Sequence, residues 1–139
     1  MALQRWGDAD MDPLLDEMER WAAGGPLEQR AAAAALCEPR LLREERHARR
    51  VLAVLDTITA SLLLAQRRKG EDFKTLRQGL GYCWSVAVAA LPAEGKPLME
   101  KWLASDDPDV CWIMRENLKK NRLTRMDAAW VEEWRKRLK

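Results

Sequence analysis

The chain has 139 residues, of which 47% are hydrophobic and 33% are charged, and its formal net charge is +2. These values are typical of one globular domain and exclude an intrinsically disordered segment. The longest apolar runs, 51–65 and 80–91, are shorter than the roughly 20 residues that span a bilayer, and no basic start precedes an apolar run. We therefore expect a single cytoplasmic domain over 1–139, with no membrane partner.

Cysteine and histidine usage bears on disulfides and metals. Cys37, Cys83 and Cys111 are an odd number without CxxC spacing, which predicts reduced, buried thiols. The single histidine, His47, lies among arginines that would repel a cation, so we expect no metal site. No GxSxG, P-loop or HExxH pattern occurs, so the sequence predicts no catalytic residue and no cofactor, and favours a protein that is not an enzyme.

The first predicted unit of structure covers residues 10–38. It follows residues 2–7, which we interpret as the end of a helix whose earlier turns are missing, so this open edge could pair with a second copy of the chain. Asp12, directly before a proline, is the predicted N-cap of the next helix. A Gly-Gly pair then ends that helix, and an alanine-rich helix completes the unit.

The second predicted unit covers residues 41–91. Apolar residues at spacings of three and four predict a long helix over 41–64. A further helix begins at the acidic pair that follows Gly70. Gly79 and Gly81 interrupt its pattern, and we expect either a kink or a close contact with another helix there.

The third predicted unit covers residues 95–123 and consists of a helix, an acidic turn and a second helix. A loop or one short turn over 92–97 precedes it. Asp107 is the predicted N-cap of the second helix, with Pro108 at its first position.

A final helix over 124–139 is predicted to cover the end of the domain. Thr124 and Asp127 resemble a capping box, with Asp in place of Glu. Apolar residues recur every four positions from Met126 onward, and the opposite face is charged, which is typical of a terminal capping helix.

Two short segments indicate an internal repeat. Met-Glu-Lys-Trp at 99–102 closely resembles Met-Glu-Arg-Trp at 18–21, at an offset of 81 residues. If one unit is about 40 residues long, this offset equals two units, which lies within the range of helical-repeat periods.

The third unit resembles a HEAT repeat, in which an Asp-Pro turn joins two helices and Asp-Val opens the second. The residues that carry this resemblance are Trp102, Asp107, Pro108, Asp109, Val110 and Leu118. HEAT units often place Arg directly after the Val, where this chain has Cys111. The resemblance implies a right-handed αα-superhelix (a HEAT-like, armadillo-type solenoid) of about three helical hairpins, with one concave face for a partner. It also implies a distant similarity to HEAT-like DNA alkylation-repair proteins.

Two basic blocks allow two interpretations. The blocks are Arg43, Arg46, Arg49 and Arg50, and Arg115, Lys119, Lys120, Arg122 and Arg125. One interpretation is solvated helix faces with ion pairs to Glu44, Glu45 and Glu116. The other is a stripe that follows the phosphates of a nucleic acid. A DNA glycosylase of the resembled kind would also need a carboxylate beside aromatic residues, and Asp56 is the candidate acid.

Seven tryptophans are either wide side chains packed between helices or partly exposed groove residues. They are Trp6, Trp21, Trp84, Trp102, Trp112, Trp130 and Trp134. The first functional hypothesis is a protein-binding scaffold with a concave face of mixed charge and exposed Trp or Leu, for which Trp84, Trp112 and Asp56 are the candidate contacts. The alternative, a nucleic-acid binder or glycosylase-like protein, predicts that both basic blocks converge around a Trp and an acid.

Overall fold

The computed structural model describes residues 10–64, 68 and 70–138, and within them it is all-α. This confirms the predicted class, since the described residues form eight α-helices, a 3₁₀ turn at Pro39–Leu41 and no strand. The helices are α1 (Met11–Ala22), α2 (Pro26–Leu36), α3 (Glu45–Leu62), α4 (Glu71–Ala90), α5 (Pro92–Leu103), α6 (Pro108–Leu118), α7 (Asn121–Met126) and α8 (Ala128–Arg137). The predictions for residues 2–7, for Trp6 and for pairing through the N-terminal edge lie outside the described residues.

Helix contacts follow the order of the chain. Each helix from α1 to α6 contacts the next one along the chain, so α2 also contacts α3, and α4 also contacts α5. The odd-numbered helices also adjoin in the order α1, α3, α5, and the even-numbered helices in the order α2, α4, α6. The most extensive packing is that of α4 against α2 and α6, so α4 is the central helix. At the far end, α7 contacts α4 and α6, while α8 contacts α6 and α7.

One continuous apolar core lies between these helices. The 3–4 spacing of apolar residues gives α1 and α3 one buried side each, and Leu14, Met18 and Leu55 have no exposed surface. Burial of each such side chain stabilises the fold by about 1.5–3 kcal/mol. Trp84 is the largest fully buried side chain and lies in the central helix, α4.

Two predicted N-caps have different outcomes. Asp107 is confirmed, because its Oδ1 accepts hydrogen bonds from the backbone N–H of Asp109 at 3.0 Å and of Val110 at 3.1 Å. Asp12 is not the cap of α1. Asp10 occupies that position and accepts from the N–H of Asp12 at 3.3 Å, because the helix begins two residues earlier than predicted, at the buried Met11.

Two predicted boundaries in the middle of the chain also change. The helix predicted from residue 41 begins at Glu45, because a separate 3₁₀ turn precedes it. The predicted loop over 92–97 is the start of α5. Pro92 is tolerated at the first helical position, where the N–H has no intrahelical partner, and Pro97 lies inside the same helix.

The predicted final helix is divided at Asp127, and the predicted capping box is wrong. Thr124 lies inside α7, and Asp127 is itself the N-cap of α8, where its Oδ1 accepts from the N–H of Trp130 at 3.1 Å. The Lys96 ammonium, 2.7 Å from the Asp127 carboxylate, together with that N–H, holds the pKa of Asp127 below its ordinary value. This carboxylate therefore both begins α8 and joins it to α5.

Of the two glycines inside α4, Gly81 marks a close contact with another helix. A Cβ placed on Gly81 would lie 3.3 Å from Trp112 Cζ3 and 3.3 Å from Glu116 Cβ, so α6 packs directly on the α4 backbone there. The buried Asn117 of α6 uses this proximity. Its Nδ2 donates to the carbonyls of Leu80 at 2.9 Å and of Ile113 at 2.8 Å, and its Oδ1 accepts from the N–H of Ser85 at 2.9 Å.

Candidate partner-binding surfaces

An open cleft lies between α2 and α4 and has a volume of about 260 Å³. We call it the Tyr82 cleft, and its lining residues are Arg30, Ala34, Cys37, Glu38, Gly79, Tyr82 and Cys83. The small residues of α2 and the missing side chain at Gly79 leave the space open. Tyr82 is 39% exposed, and residues of opposite charge, Arg30 and Glu38, contribute to the lining.

Two cations cover part of the Tyr82 ring. The guanidinium carbon of Arg122 lies 5.0 Å from the ring centroid, and Lys120 Nζ lies 6.0 Å from it. Cation–π attraction of this kind holds both side chains in place without neutralising their charge.

Sequence reasoning missed Tyr82 because it considered only tryptophans and leucines as exposed contacts. A signal was nevertheless present. Gly79 precedes Tyr82 by three positions, so both share one face of a helix. Because glycine has no side chain, the ring of an aromatic residue one turn away on the same face is not covered from that side.

The cysteines are free thiols, as predicted, although only two of them are fully buried. Burial raises the pKa of the Cys37 thiol well above its ordinary value, and a hydrogen bond with Cys83 adds to the effect. Cys111 is half-buried, and its Sγ donates to the carbonyl of Ser105 at 3.1 Å. Cys37 therefore stays protonated at neutral pH and contributes apolar lining to the Tyr82 cleft.

The first basic block is largely neutralised by carboxylates, and its partners include other helices. Arg46 pairs with Glu44 at 2.8 Å, which confirms one predicted local pair. Arg49 lies 2.7 Å from Glu94 of α5. Arg50 lies 2.7 Å from Asp16 and 2.8 Å from Glu19, both on α1. Arg43 is exposed.

The second basic block is held mainly by uncharged groups. Arg115 Nε donates to the carbonyl of Leu138 at 3.2 Å, and Arg135 Nη2 donates to the carbonyl of Leu118 at 2.8 Å. Each arginine thus binds a C-terminal carbonyl of the other's helix. Lys119 pairs with Glu116, as predicted.

A second open cleft, of about 240 Å³, lies at these helix ends. We call it the C-terminal cleft, and its lining residues are Arg115, Leu118, Lys119, Arg135 and Leu138. The carboxylates that bind the first block belong to α1, α5 and the start of α3, whereas the second block contacts α4, α6 and α8. No hydrogen bond or ion pair among the described residues joins the two blocks, although α3 and α6, which carry residues of the two blocks, are in contact.

Asp56 lies beside a tryptophan, as the glycosylase hypothesis requires. The group that contacts its carboxylate is the indole N–H and not the face of the ring. Trp102 Nε1 donates to Asp56 Oδ1 at 2.9 Å, and Lys101 Nζ lies 2.6 Å from the same oxygen. A general base must reach the proton that it abstracts, and here the carboxylate already accepts from two donors. The pairing joins α3 to α5.

The two candidate tryptophan contacts differ in accessibility. Trp84 has no exposed surface, and its Nε1 donates to Thr59 Oγ1 at 3.0 Å, so it is a core residue and not a surface contact. Trp112 is half-buried. The guanidinium of Arg77 lies 3.9 Å from its ring centroid and also 2.9 Å from Asp109, so one face of the ring is already covered.

The described residues contain neither a metal-binding cluster nor a membrane-spanning helix. Within the part of the chain that the structure describes, no three His, Cys, Asp or Glu side chains are placed to hold a metal ion together. In the same residues, no helix combines the length and the hydropathy needed to cross a bilayer.

Comparisons with protein-family models, with curated proteins and with solved structures give no significant match to this chain. Its resemblance to HEAT repeats therefore depends on the residues quoted above and on the order of helix contacts.

Proposed function

We propose that this chain is a non-enzymatic interaction module of about three helical hairpins, stacked as a right-handed HEAT-like αα-superhelix, that binds a partner protein. The order of helix contacts supports the stack. In a linear repeat each unit contacts only its neighbours. Here the odd and even helices form two rows in chain order, and α7 with α8 covers the far end.

The first copy of the repeated tetrapeptide ends α1. Met18 is fully buried, and Trp21 Nε1 donates to Glu17 Oε1 at 3.1 Å. Arg20, directly before the tryptophan, pairs with the same carboxylate. The segment therefore contributes one core side chain and one indole–carboxylate–cation cluster.

The second copy, at the end of α5, has the same arrangement. Met99 is fully buried, Trp102 donates to a carboxylate, and the preceding Lys101 pairs with that carboxylate. The acid is Asp56 of α3 instead of a residue of the same helix. Equal roles at an offset of 81 residues support the assignment of α1 and α5 to corresponding positions in two units.

The observation that carries protein binding is the mixed character of the Tyr82 cleft. A partly exposed aromatic ring, an apolar floor and both signs of charge are typical of protein interfaces, where aromatic residues supply much of the binding energy. Leu27 lies at the start of α2, one of the two helices that line the cleft, and is 56% exposed. Mixed charge with an exposed aromatic and an exposed leucine side chain is what the scaffold hypothesis predicts of a binding face, and these features support it, with a tyrosine in place of a tryptophan.

The nucleic-acid and glycosylase alternatives have less support. Three of the four arginines in the first basic block pair with carboxylates, so they are poorly suited to follow phosphates. Asp56, the candidate catalytic acid, already accepts an indole N–H and lies beside an ammonium group.

Peptide selection tests the proposal. Peptides that bind the wild-type chain are first selected from a displayed library. Their affinities for the wild type and for four variants are then measured by fluorescence anisotropy. We expect Tyr82→Ala and Gly79→Leu to weaken binding at least about tenfold, because one removes the ring and the other fills the cleft.

The matched controls are Lys74→Ala and Gln78→Ala, at exposed positions of α4 that do not line the cleft. Both should leave affinity unchanged. Selected peptides that bind Tyr82→Ala and Gly79→Leu as tightly as the wild type would contradict the proposal.

A further inference from the structure

The C-terminal cleft holds two arginines, Arg115 and Arg135, at fixed positions without neutralising them. The guanidinium groups of Arg115 and Arg135 are oriented by backbone carbonyls, not by acids. Each retains N–H groups that no contact among the described residues uses. An arginine whose guanidinium group is already oriented loses less side-chain conformational entropy on binding an anion than a freely moving arginine does.

Among the described residues, acids compensate the positive charge around this cleft only in part. Residues 111–138 contain eight basic and four acidic residues. Three of those acids already have partners, since Glu116 pairs with Lys119, Asp127 with Lys96, and Glu133 with Arg137. An anionic ligand would therefore relieve repulsion among cations, which it could not do at the first block.

The floor of the cleft is apolar. Leu118 is almost fully buried and Leu138 is half-buried, and together they separate the charged groups. This arrangement fits an apolar side chain better than a nucleotide. Trp134, one turn before Leu138, has the Arg137 guanidinium 4.8 Å from its ring centroid. Tyr82 has Arg122 and Lys120 against it, so both rings are poor stacking surfaces for a base.

We infer that the C-terminal cleft binds an acidic segment of a partner protein, with a large apolar side chain on Leu118 and Leu138 and flanking carboxylates on Arg115 and Arg135. This inference rests on the proposed function only in taking the partner to be a protein. The site is separate from the Tyr82 cleft, and either can fail alone.

A designed peptide tests it directly. The probe is a fluorescein-labelled peptide with one leucine between two pairs of glutamates, and anisotropy reports its binding to the intact chain. Arg115→Gln combined with Arg135→Gln should weaken binding at least about tenfold, and Lys119→Glu alone about fivefold. Among the described residues, the side chain of Lys119 pairs only with the Glu116 carboxylate and joins no two helices, so its variant keeps the test valid if the double variant unfolds.

The matched control is Arg49→Gln combined with Arg50→Gln, which removes the same net charge from the first block. It should leave the peptide affinity unchanged. Replacement of the leucine in the peptide by serine should weaken binding about tenfold. Equal losses in both double variants would mean that only net charge matters, and that result would overturn the inference.

A nucleic-acid arm completes the test. A labelled DNA duplex and its single strand are titrated at about 50 and 200 mM salt. If DNA binds more tightly than the peptide and loses affinity in Lys119→Glu, the cleft is a phosphate site and the inference is wrong. No peptide binding at low salt would also overturn it, whereas unchanged binding in Tyr82→Ala supports a site distinct from the Tyr82 cleft.

Discussion

Single polar residues inside this protein join helices that are far apart in sequence. Asn117 is the clearest case, because it has no exposed surface and bonds to three backbone groups. Its Oδ1 accepts the N–H of Ser85 on another helix. The loss of one partner leaves a buried polar group unsatisfied, which costs more than the hydrogen bond contributes.

Replacement of Asn117 by Ala should therefore be strongly destabilising. We expect the free energy of unfolding to fall by about 2–4 kcal/mol, measured by urea denaturation. The control is Gln78→Ala on the exposed face of α4, which should change stability by less than about 0.5 kcal/mol. Equal effects of the two substitutions would show that the Asn117 contacts do not stabilise the fold.

Residue-level prediction from sequence succeeded where the cause is local. Asp107 was found because an N-cap needs only its own side chain, the following proline and the next two N–H groups. Asp12 was misassigned because Asp10 and Asp12 both lie shortly before Pro13, and the helix begins between them, at the buried Met11. The pairing of Asp56 with Trp102 spans 46 residues, so no local pattern contains it.

At the scale of helices, glycines decide how closely neighbours pack. Gly95 of α5 faces the backbone of α4, where a Cβ would lie 2.8 Å from Val88 Cα. Gly79 of α4 is different, since its nearest neighbour would be Arg30 Cγ at an ordinary 3.6 Å. The same substitution should therefore have opposite effects at the two positions.

We expect Gly95→Ala to destabilise the protein by about 1–3 kcal/mol, because the α5–α4 contact must open. Gly79→Ala should stabilise it by about 0.5–1 kcal/mol, because alanine has the higher helix propensity. Thermal unfolding followed by circular dichroism measures both changes. A stabilised Gly95→Ala variant would show that α5 packs less closely on α4 than described.

Helix boundaries were predicted well where caps are local and poorly where tertiary packing acts. The start of α5 at Pro92 was taken for a loop because Pro97 and Gly95 both disfavour a helix. Gly95 is used there for the close approach to Val88, a reason that no single-helix pattern reveals. The division at Asp127 was missed because Thr124 and Asp127 imitate a capping box.

At the scale of the whole molecule, ion pairs between elements determine the response to acid. Asp107 illustrates this, because it caps α6 and pairs with Arg68 at 2.6 Å, before α4. Burial alone would raise the pKa of Asp107, but the Arg68 guanidinium and the N–H groups of Val110 and Asp109 outweigh it. They hold that pKa below its ordinary value of 3.8.

A carboxyl group whose pKa is lower in the folded protein than in the unfolded chain stabilises the fold fully at pH values above the pKa that it has in the unfolded chain. That stability is lost as pH falls through the folded pKa. We therefore expect the stability difference between wild type and Asp107→Asn to be constant above about pH 5 and to shrink as pH falls from there towards about 2. Thermal melting across this range measures it. Asp106→Asn, at an exposed neighbour, should show no such change, and a constant difference for Asp107→Asn would contradict the prediction.

The all-α class was more predictable than the surfaces. Apolar residues at spacings of three and four, as over 41–64, indicate helices before any contact is known. The neutralisation of Arg50 was not predictable, because Asp16 and Glu19 are 34 and 31 residues away from it and meet it only when α1 packs on α3.

The exchange of carbonyl contacts between α6 and α8 has one more consequence. Because Arg115 holds Leu138 and Arg135 holds Leu118, neither helix terminus can fray without releasing the other. Amide hydrogen exchange in the last turn of α6 and in the last turn of α8 should consequently proceed at matched rates, and Arg135→Gln should accelerate both together.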